Sequence, residues 1–170
     1  LLVVAAFFWP ATSKQLQSSS SEKLNYNQSV AAAIRTINGD SSNADVRPEC
    51  RSIIKTHGKK TTKAVMMIHG VSACPQQFAD LGNTFFNAGY NVYIPRVPSH
   101  GLTDNKRHGE ITIPTMAQFM NSSTNIISGL GDETGVVGLS GGANMATWIT
   151  QYNSQTISRA LLLSPFYQRS

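Results

Sequence analysis

The residues with the clearest chemical potential in this sequence are a serine and the glycines around it. Residues 138–142 read Gly-Leu-Ser-Gly-Gly, which fits the pattern G-x-S-x-G. In this pattern the chain turns sharply from a strand into a helix and exposes the serine hydroxyl at the apex. Gly138 and Gly142 fit because a side chain two residues before or after the serine would collide with the turn. The pattern predicts that Ser140 is an acyl-transfer nucleophile, with the positive end of the following helix near the developing anion.

So short a pattern also occurs by chance, and two other interpretations compete with the nucleophile. One is a plain glycine-rich loop between a strand and a helix, and the other is a phosphate cradle at a helix N-terminus. A phosphate-binding loop is expected to contain a lysine and further glycines, and residues 138–148 contain no lysine. The strand-forming residues before Ser140 and the helix-compatible residues after it favour the nucleophile.

A second set of residues, His69-Gly70-Val71, follows an apolar run and complements the serine. An acyl-transfer serine needs two backbone N–H groups that stabilise the oxyanion of the tetrahedral intermediate. Gly141, directly after the serine, would supply one of them. Gly70 lets the backbone approach the substrate, so Val71 is the natural second donor. We interpret His69 as a structural histidine that orients this loop, the alternative being a catalytic base.

The segments around these residues alternate between strand and helix patterns. Strands are predicted at residues 51–57, 63–69, 90–97, 134–140 and 159–166, and helices at residues 75–89, 113–131 and 141–153. The nearly continuous apolar run at residues 63–69 predicts a strand buried on both faces. Alternation of this kind with short loops predicts an α/β fold, a mostly parallel sheet with flanking helices. Ligands of such sheets bind at the C-terminal strand ends, where His69, His100 and Ser140 are expected.

Three stretches carry a resemblance to a known family. The sequences MMIHGVSACPQQFADLG, GYNVYIPRVPSHG and GVVGLSGGANMA resemble, in this order, the α/β-hydrolase fold in its carboxylesterase and lysophospholipase-like branch. The resemblance covers roughly residues 50–166 and implies the N-terminal portion of that fold. It implies a serine esterase that works through an acyl-enzyme on small or lipid-like esters, without a cofactor or a metal. It also implies Ser140 as the nucleophile, Val71 and Gly141 as oxyanion donors, and His100 as a residue that shapes its loop.

The rest of the catalytic triad of that family is missing after the serine. In the family the acid and then the histidine follow the nucleophile, whereas no Asp, Glu or His occurs after Ser140 here. The histidines all precede it, at His57, His69, His100 and His108. We therefore expect a C-terminally truncated hydrolase that is nearly inactive alone. Two alternatives stay open: a hydrolase-like module that only binds a ligand, and a serine peptidase of the same fold.

The N-terminal part of the sequence differs in composition from the rest. Leu1–Trp9 is an apolar run too short to span a bilayer. It resembles the core of a secretory signal or the remnant of a membrane anchor, with a buried N-terminal strand as the alternative. The protein is therefore expected to be secreted or membrane-anchored, with possible membrane association through this run. We divide the chain into this segment with a polar tether (residues 1–21), an extension (residues 22–48) and a partial hydrolase domain (residues 49–170).

The two cysteines and the overall charge complete the predictions. Behind a secretion-like segment, a disulfide between Cys50 and Cys74 is favoured over two buried thiols. That disulfide would pin the loop that carries Val71. The formal charge of the 170 residues is +5, but no dense basic block and no nucleic-acid-binding motif is present, so a nucleic acid is not an expected partner. The expected partner is a small-molecule ester or a lipid.

Overall fold

The computed structural model describes residues 14–167 and places five strands in one sheet. The strands are β1 (Ile53–Lys55), β2 (Thr61–Ile68), β3 (Asn91–Ile94), β4 (Gly131–Leu139) and β5 (Ile157–Leu163). Their order across the sheet is β1-β3-β2-β4-β5. β1 is antiparallel to β3, and the other neighbouring strands are parallel. The predicted fold class, a mostly parallel α/β sheet with flanking helices, is confirmed.

Four α-helices lie within the described residues. They are α1 (Tyr26–Ser42), α2 (Ala79–Asn87), α3 (Ile113–Ser128) and α4 (Gly141–Tyr152). Asn25 and Gln28 begin α1 with a capping box, in which each side chain accepts a hydrogen bond from the other residue's N–H. Thr112 caps α3 and Pro114 lies in its first turn, a position that suits proline because the missing N–H has no helical partner.

Strand β2 lies in the middle of the sheet and divides the core into two layers. Its residues Met66 and Ile68 face one side, which α3 and α4 cover. Val65 and Met67 face the other side, where the partly buried aromatic residues of α2 pack. Ala64–Ile68 is buried throughout, so the predicted burial of this strand on both faces is confirmed.

Several element boundaries differ from the prediction, most clearly at the junction of α3 with β4 and at the end of β5. Helix α3 ends at Ser128 rather than at residue 131, and β4 already begins at Gly131. A Cβ atom on Gly131 would lie 2.5 Å from the backbone nitrogen of Ala64, so this glycine lets β4 approach β2 closely. Strand β5 ends at Leu163 rather than at residue 166, because the backbone turns at Ser164 with φ 49°.

The polar residues predicted as a tether lie against the folded core from Lys14 onward. The Trp148 indole donates a hydrogen bond to the Leu16 carbonyl at 2.8 Å. The Ser19 hydroxyl lies 2.6 Å from Asn121 Oδ1 and 2.7 Å from Asn153 Oδ1. The apolar run Leu1–Trp9 lies outside the described residues. Within residues 14–167, no helix combines the length and apolar character needed to cross a membrane.

Candidate active site

Ser140 occupies a strained backbone position between β4 and α4. Its φ is 54° and its ψ is −120°, a left-handed conformation that residues with side chains rarely adopt. The backbone holds it there, because its N–H donates to the Leu163 carbonyl at 2.8 Å and its own carbonyl accepts the N–H of Ala143 at 2.9 Å. The serine therefore stands at a strand-to-helix apex, as predicted, and is partly exposed.

Only glycine fits at positions 138 and 142, because backbone atoms occupy the space that a Cβ atom would need. A Cβ atom on Gly142 would lie 2.6 Å from the His69 carbonyl oxygen and even nearer to the Ile68 carbonyl oxygen. A Cβ atom on Gly138 would lie 2.6 Å from the Cα of Ala143. Side chains do not fit at either position, so the start of α4 packs directly on the end of β2. This packing brings Ser140 next to the loop that follows β2.

The two expected oxyanion donors lie beside Ser140. A Cβ atom on Gly70 would lie 3.7 Å from the Cβ of Ser140, and one on Gly141 would lie 3.8 Å from the backbone nitrogen of Val71. The structure therefore brings Ser140, Gly70, Val71 and Gly141 together at the C-terminal edge of the sheet. We call residues 69–75 the oxyanion loop, because they contain the expected donor Val71.

Gln77 holds the oxyanion loop in place, and the sequence analysis missed it. Its side-chain Oε1 accepts the Gly70 N–H at 2.9 Å. The Gly70 carbonyl in turn accepts the Ala73 N–H at 3.1 Å. Gln77 lies in the short 3-10 turn Pro75–Phe78. The sequence feature that indicates its role is an amide side chain shortly after Gly70. With this bond, Gly70 points neither of its backbone polar groups at the substrate side.

His69 uses both ring nitrogens to connect parts of the scaffold. Nε2 accepts the Val97 N–H at 3.0 Å, so Nδ1 carries the proton and donates to the Gly70 carbonyl at 2.9 Å. The ring is fully buried, and burial lowers the pKa of His69 to about 4. His69 is therefore neutral at pH 7 and has no nitrogen left to take a proton from Ser140.

His100 packs between two other histidines. Its ring centroid lies 5.4 Å from that of His69 and 4.3 Å from that of His108, which stacks on it. Nδ1 donates to the Pro98 carbonyl at 2.9 Å, while Nε2 is buried beside the Val71 backbone without reaching hydrogen-bond geometry. Burial is the main cause that lowers the pKa of His100, against the hydrogen bond to Pro98. This placement fits a residue that shapes its loop.

The predicted disulfide between Cys50 and Cys74 is present, with Cα atoms 5.2 Å apart. Both cysteines are buried. Gly101, which has φ 66°, packs on the bridge: a Cβ atom there would lie 2.5 Å from the Cβ of Cys50 and 3.2 Å from that of Cys74. The disulfide thus ties the oxyanion loop both to the segment before β1 and to the loop of His100. Among residues 14–167, no group of three or more His, Cys, Asp or Glu side chains is arranged to hold a metal ion.

Comparisons with known proteins bear on the fold. No protein-family model matches the chain, and no curated protein matches it in sequence. A structure from work on LipS and LipT, two metagenome-derived lipolytic enzymes, is similar with a TM-score of 0.59 and 22% identity over 68% of this chain. A predicted CIB-like hydrolase from Thermoplasma acidophilum is similar with a TM-score of 0.50 and 20% identity over 69% of this chain.

This chain spans 45% of the length of the first of these structures and 56% of the second. Identities of this size carry the architecture and not the activity. The parallel sheet, the turn at Ser140 and both similar structures agree on the architecture. The chain has the α/β-hydrolase fold.

Proposed function

We propose that this chain carries the nucleophile and the oxyanion hole of a serine hydrolase for carboxylic esters. The observation that carries the proposal is the backbone of Ser140, held at φ 54° beside two N–H groups at Val71 and Gly141. Strain of this kind persists only where surrounding contacts impose it. Here the hydrogen bonds of the Ser140 backbone and the close backbone packing at Gly138 and Gly142 do so. The similar structures include lipolytic enzymes and a hydrolase, which supports the same chemistry.

The proposed reaction proceeds through an acyl-enzyme. The Ser140 oxygen attacks the ester carbonyl carbon while a base removes its proton, and the carbonyl oxygen becomes an anion. The N–H groups of Val71 and Gly141 donate hydrogen bonds to that anion. Collapse of the intermediate breaks the bond to the alcohol, which leaves with the proton, and water then releases the acid from Ser140.

Exposed apolar side chains on the segments that adjoin Ser140 favour an uncharged, hydrophobic ester. Val71 is 48% exposed beside Gly141, and Phe166 is 60% exposed. The Phe166 N–H donates to Asn144, one helical turn after Ser140, at 3.1 Å. An acyl chain lying between Val71 and Phe166 would bury apolar surface on both, which stabilises binding by about 25 cal/mol per Å².

We also propose that the chain alone turns over esters slowly, because its histidines are engaged elsewhere. His69 has both nitrogens occupied and His100 is buried against Pro98. His57 stacks on Phe86 in the region of α2, and His108 stacks on the His100 ring. Without a base, the oxyanion donors and binding alone leave roughly 10³–10⁴-fold acceleration over water in related enzymes.

The test is covalent labelling of the purified chain with an alkyl fluorophosphonate, followed by intact-mass and peptide mass spectrometry. Ser140→Ala removes the nucleophile. Ser99→Ala is a matched control, because Ser99 is a second serine with a left-handed backbone, at φ 59°. Hydrolysis of p-nitrophenyl acetate is measured on the same samples.

We expect slow phosphonylation of Ser140 in the unchanged chain and in Ser99→Ala, because no base assists the serine, and none in Ser140→Ala. Turnover of the activated ester should be slow. Labelling that survives Ser140→Ala would contradict the assigned nucleophile. A complete lack of labelling, under conditions that label a control serine hydrolase whose catalytic histidine has been replaced, would favour a module that only binds its ligand. Fast turnover that disappears in Ser140→Ala would show that a base lies within these 170 residues.

A further inference from the structure

We propose that Asp40, in the N-terminal helix α1, is a positioning residue for the oxyanion loop and acts through Arg96 and His100. The inference rests on the proposed function, since that is what gives the loop a catalytic role. It assigns a task to the N-terminal extension, whose sequence contains no residue of the serine hydrolase pattern.

Asp40 is a buried carboxylate with every oxygen occupied. Its side chain is 5% exposed. Oδ1 accepts a hydrogen bond from Nε of Arg96 at 2.9 Å and lies 2.8 Å from Nη2 of the same guanidinium as an ion pair. Oδ2 accepts the backbone N–H and the hydroxyl of Ser52 at 2.8 and 2.7 Å. A buried charge is retained at such a position only when partners of this kind compensate it. The carboxylate therefore fixes the orientation of the Arg96 guanidinium.

Arg96 passes that orientation to the loop of His100. Its third nitrogen, Nη1, donates to the His100 carbonyl at 3.0 Å. Its own backbone N–H donates to the Ser52 hydroxyl at 2.9 Å. Because the guanidinium is a rigid planar fork, the contacts of Nε and Nη2 with Asp40 determine where Nη1 points. The position of the His100 backbone thus depends on a residue 60 positions earlier in the chain.

Two contacts lead from this loop to the oxyanion loop. The His100 ring packs on His69, whose Nδ1–H donates to the Gly70 carbonyl. Nε2 of His100 lies beside the Val71 backbone. The next residue, Gly101, packs on the disulfide of Cys74 at the far end of the oxyanion loop. A shift of the His100 backbone would move both ends of the oxyanion loop, and displacements near 1 Å at such sites cost about a hundredfold in rate.

The chain provides a matched control for this ion pair. Asp45 belongs to the same N-terminal extension and pairs with Arg107 at 2.8 Å, but its side chain is 57% exposed. Exposed pairs of this kind contribute little. Asp45→Asn removes the same charge by the same substitution, at a side chain that pairs with Arg107 and not with Arg96.

The experiment compares the unchanged chain with Asp40→Asn, Arg96→Lys and Asp45→Asn. The first readout is the rate of fluorophosphonate labelling at Ser140. The second is amide hydrogen exchange, resolved between the oxyanion loop at residues 69–75 and the core strands at residues 64–68 and 134–139. Arg96→Lys keeps the charge opposite Asp40 but lacks the fork that reaches His100, so it decides the matter if Asp40→Asn does not fold.

We expect Asp40→Asn and Arg96→Lys to slow labelling by about tenfold to a hundredfold and to raise exchange in residues 69–75 but not in the core strands. Asp45→Asn should match the unchanged chain in both readouts. Labelling within twofold of the unchanged rate, or exchange that rises equally in loop and core, would overturn the inference. If the unchanged chain is not labelled at Ser140, the proposed function fails, and the exchange pattern alone decides whether Asp40 positions the loop.

Discussion

Replacing Gly142 with alanine tests whether the turn at Ser140 is made by direct backbone contact. The added methyl group would lie 2.6 Å from the His69 carbonyl oxygen and nearer still to that of Ile68. Both oxygen atoms belong to the backbone at the end of β2, so the clash cannot be relieved by movement of a flexible side chain. The helix or the strand has to shift instead.

The expected cost follows from this geometry. Overpacking of a close-packed site costs about 1–3 kcal/mol, and rigid neighbours on one backbone place this substitution at the upper end. We expect the free energy of unfolding to fall by about 3 kcal/mol, a large part of the 5–15 kcal/mol typical of a domain. Gly39→Ala in α1 is the control, because nothing lies within 4 Å of a Cβ atom there. It should stabilise the chain by roughly 0.5–1 kcal/mol.

Urea unfolding followed by tryptophan fluorescence measures both variants. With a slope of about 2 kcal/mol per molar, the midpoint should fall by about 1.5 M for Gly142→Ala and rise slightly for Gly39→Ala. A Gly142→Ala midpoint close to that of the unchanged chain, at the same slope, would refute the reasoning. The turn would then relax easily, and glycine would have to be explained in another way.

Three further predictions concern stability, each measured by urea unfolding. Ser140→Gly should raise the free energy of unfolding by about 1 kcal/mol, because glycine adopts the φ of 54° without strain, and a decrease would count against a strained serine. The double variant Cys50→Ala and Cys74→Ala should lower the free energy of unfolding by about 3 kcal/mol, because the disulfide no longer restricts the unfolded chain over a sequence separation of 24. An unchanged midpoint would contradict this. Burial lowers the pKa of His69 from 6.5 to about 4, so between these pH values the unfolded state binds a proton that the folded state does not. The free energy of unfolding should therefore fall as the pH drops from about 6.5 to 4, and His69→Gln should flatten that dependence.

The sequence predicted the central strands and the serine turn because both depend on neighbouring residues. The apolar run at residues 63–69 can only be buried, and the G-x-S-x-G spacing contains the steric reason for its own turn. The role of α1 could not be found in this way. Asp40 and Arg96 are 56 positions apart, and neither lies in a pattern that indicates the other.

The polar N-terminal segment shows the same limit. Serine-rich composition predicts a tether, but the structure pairs Ser19 with Asn121 and Asn153, more than a hundred residues away. A hydroxyl that finds a buried amide partner gains a hydrogen bond that composition cannot reveal. The boundary between α3 and β4 differs from the prediction for a related reason, because the closeness of Gly131 to Ala64 is a contact between strands.

The neutral state of His69 links the stability of the chain to the geometry of its site. When Nε2 takes a proton, it becomes a donor facing the Val97 N–H, which already donates to it at 3.0 Å. Two donors cannot share that contact, so protonation breaks the bond between the oxyanion loop and the segment after β3. Nδ1 would still hold the Gly70 carbonyl, but the ring would lose the bond that fixes its orientation. Loss of stability in acid should therefore begin at the oxyanion loop. As the pH is lowered, protection from hydrogen exchange, measured against the intrinsic rate at each pH, should be lost at residues 69–75 at a higher pH than in β2 and β4.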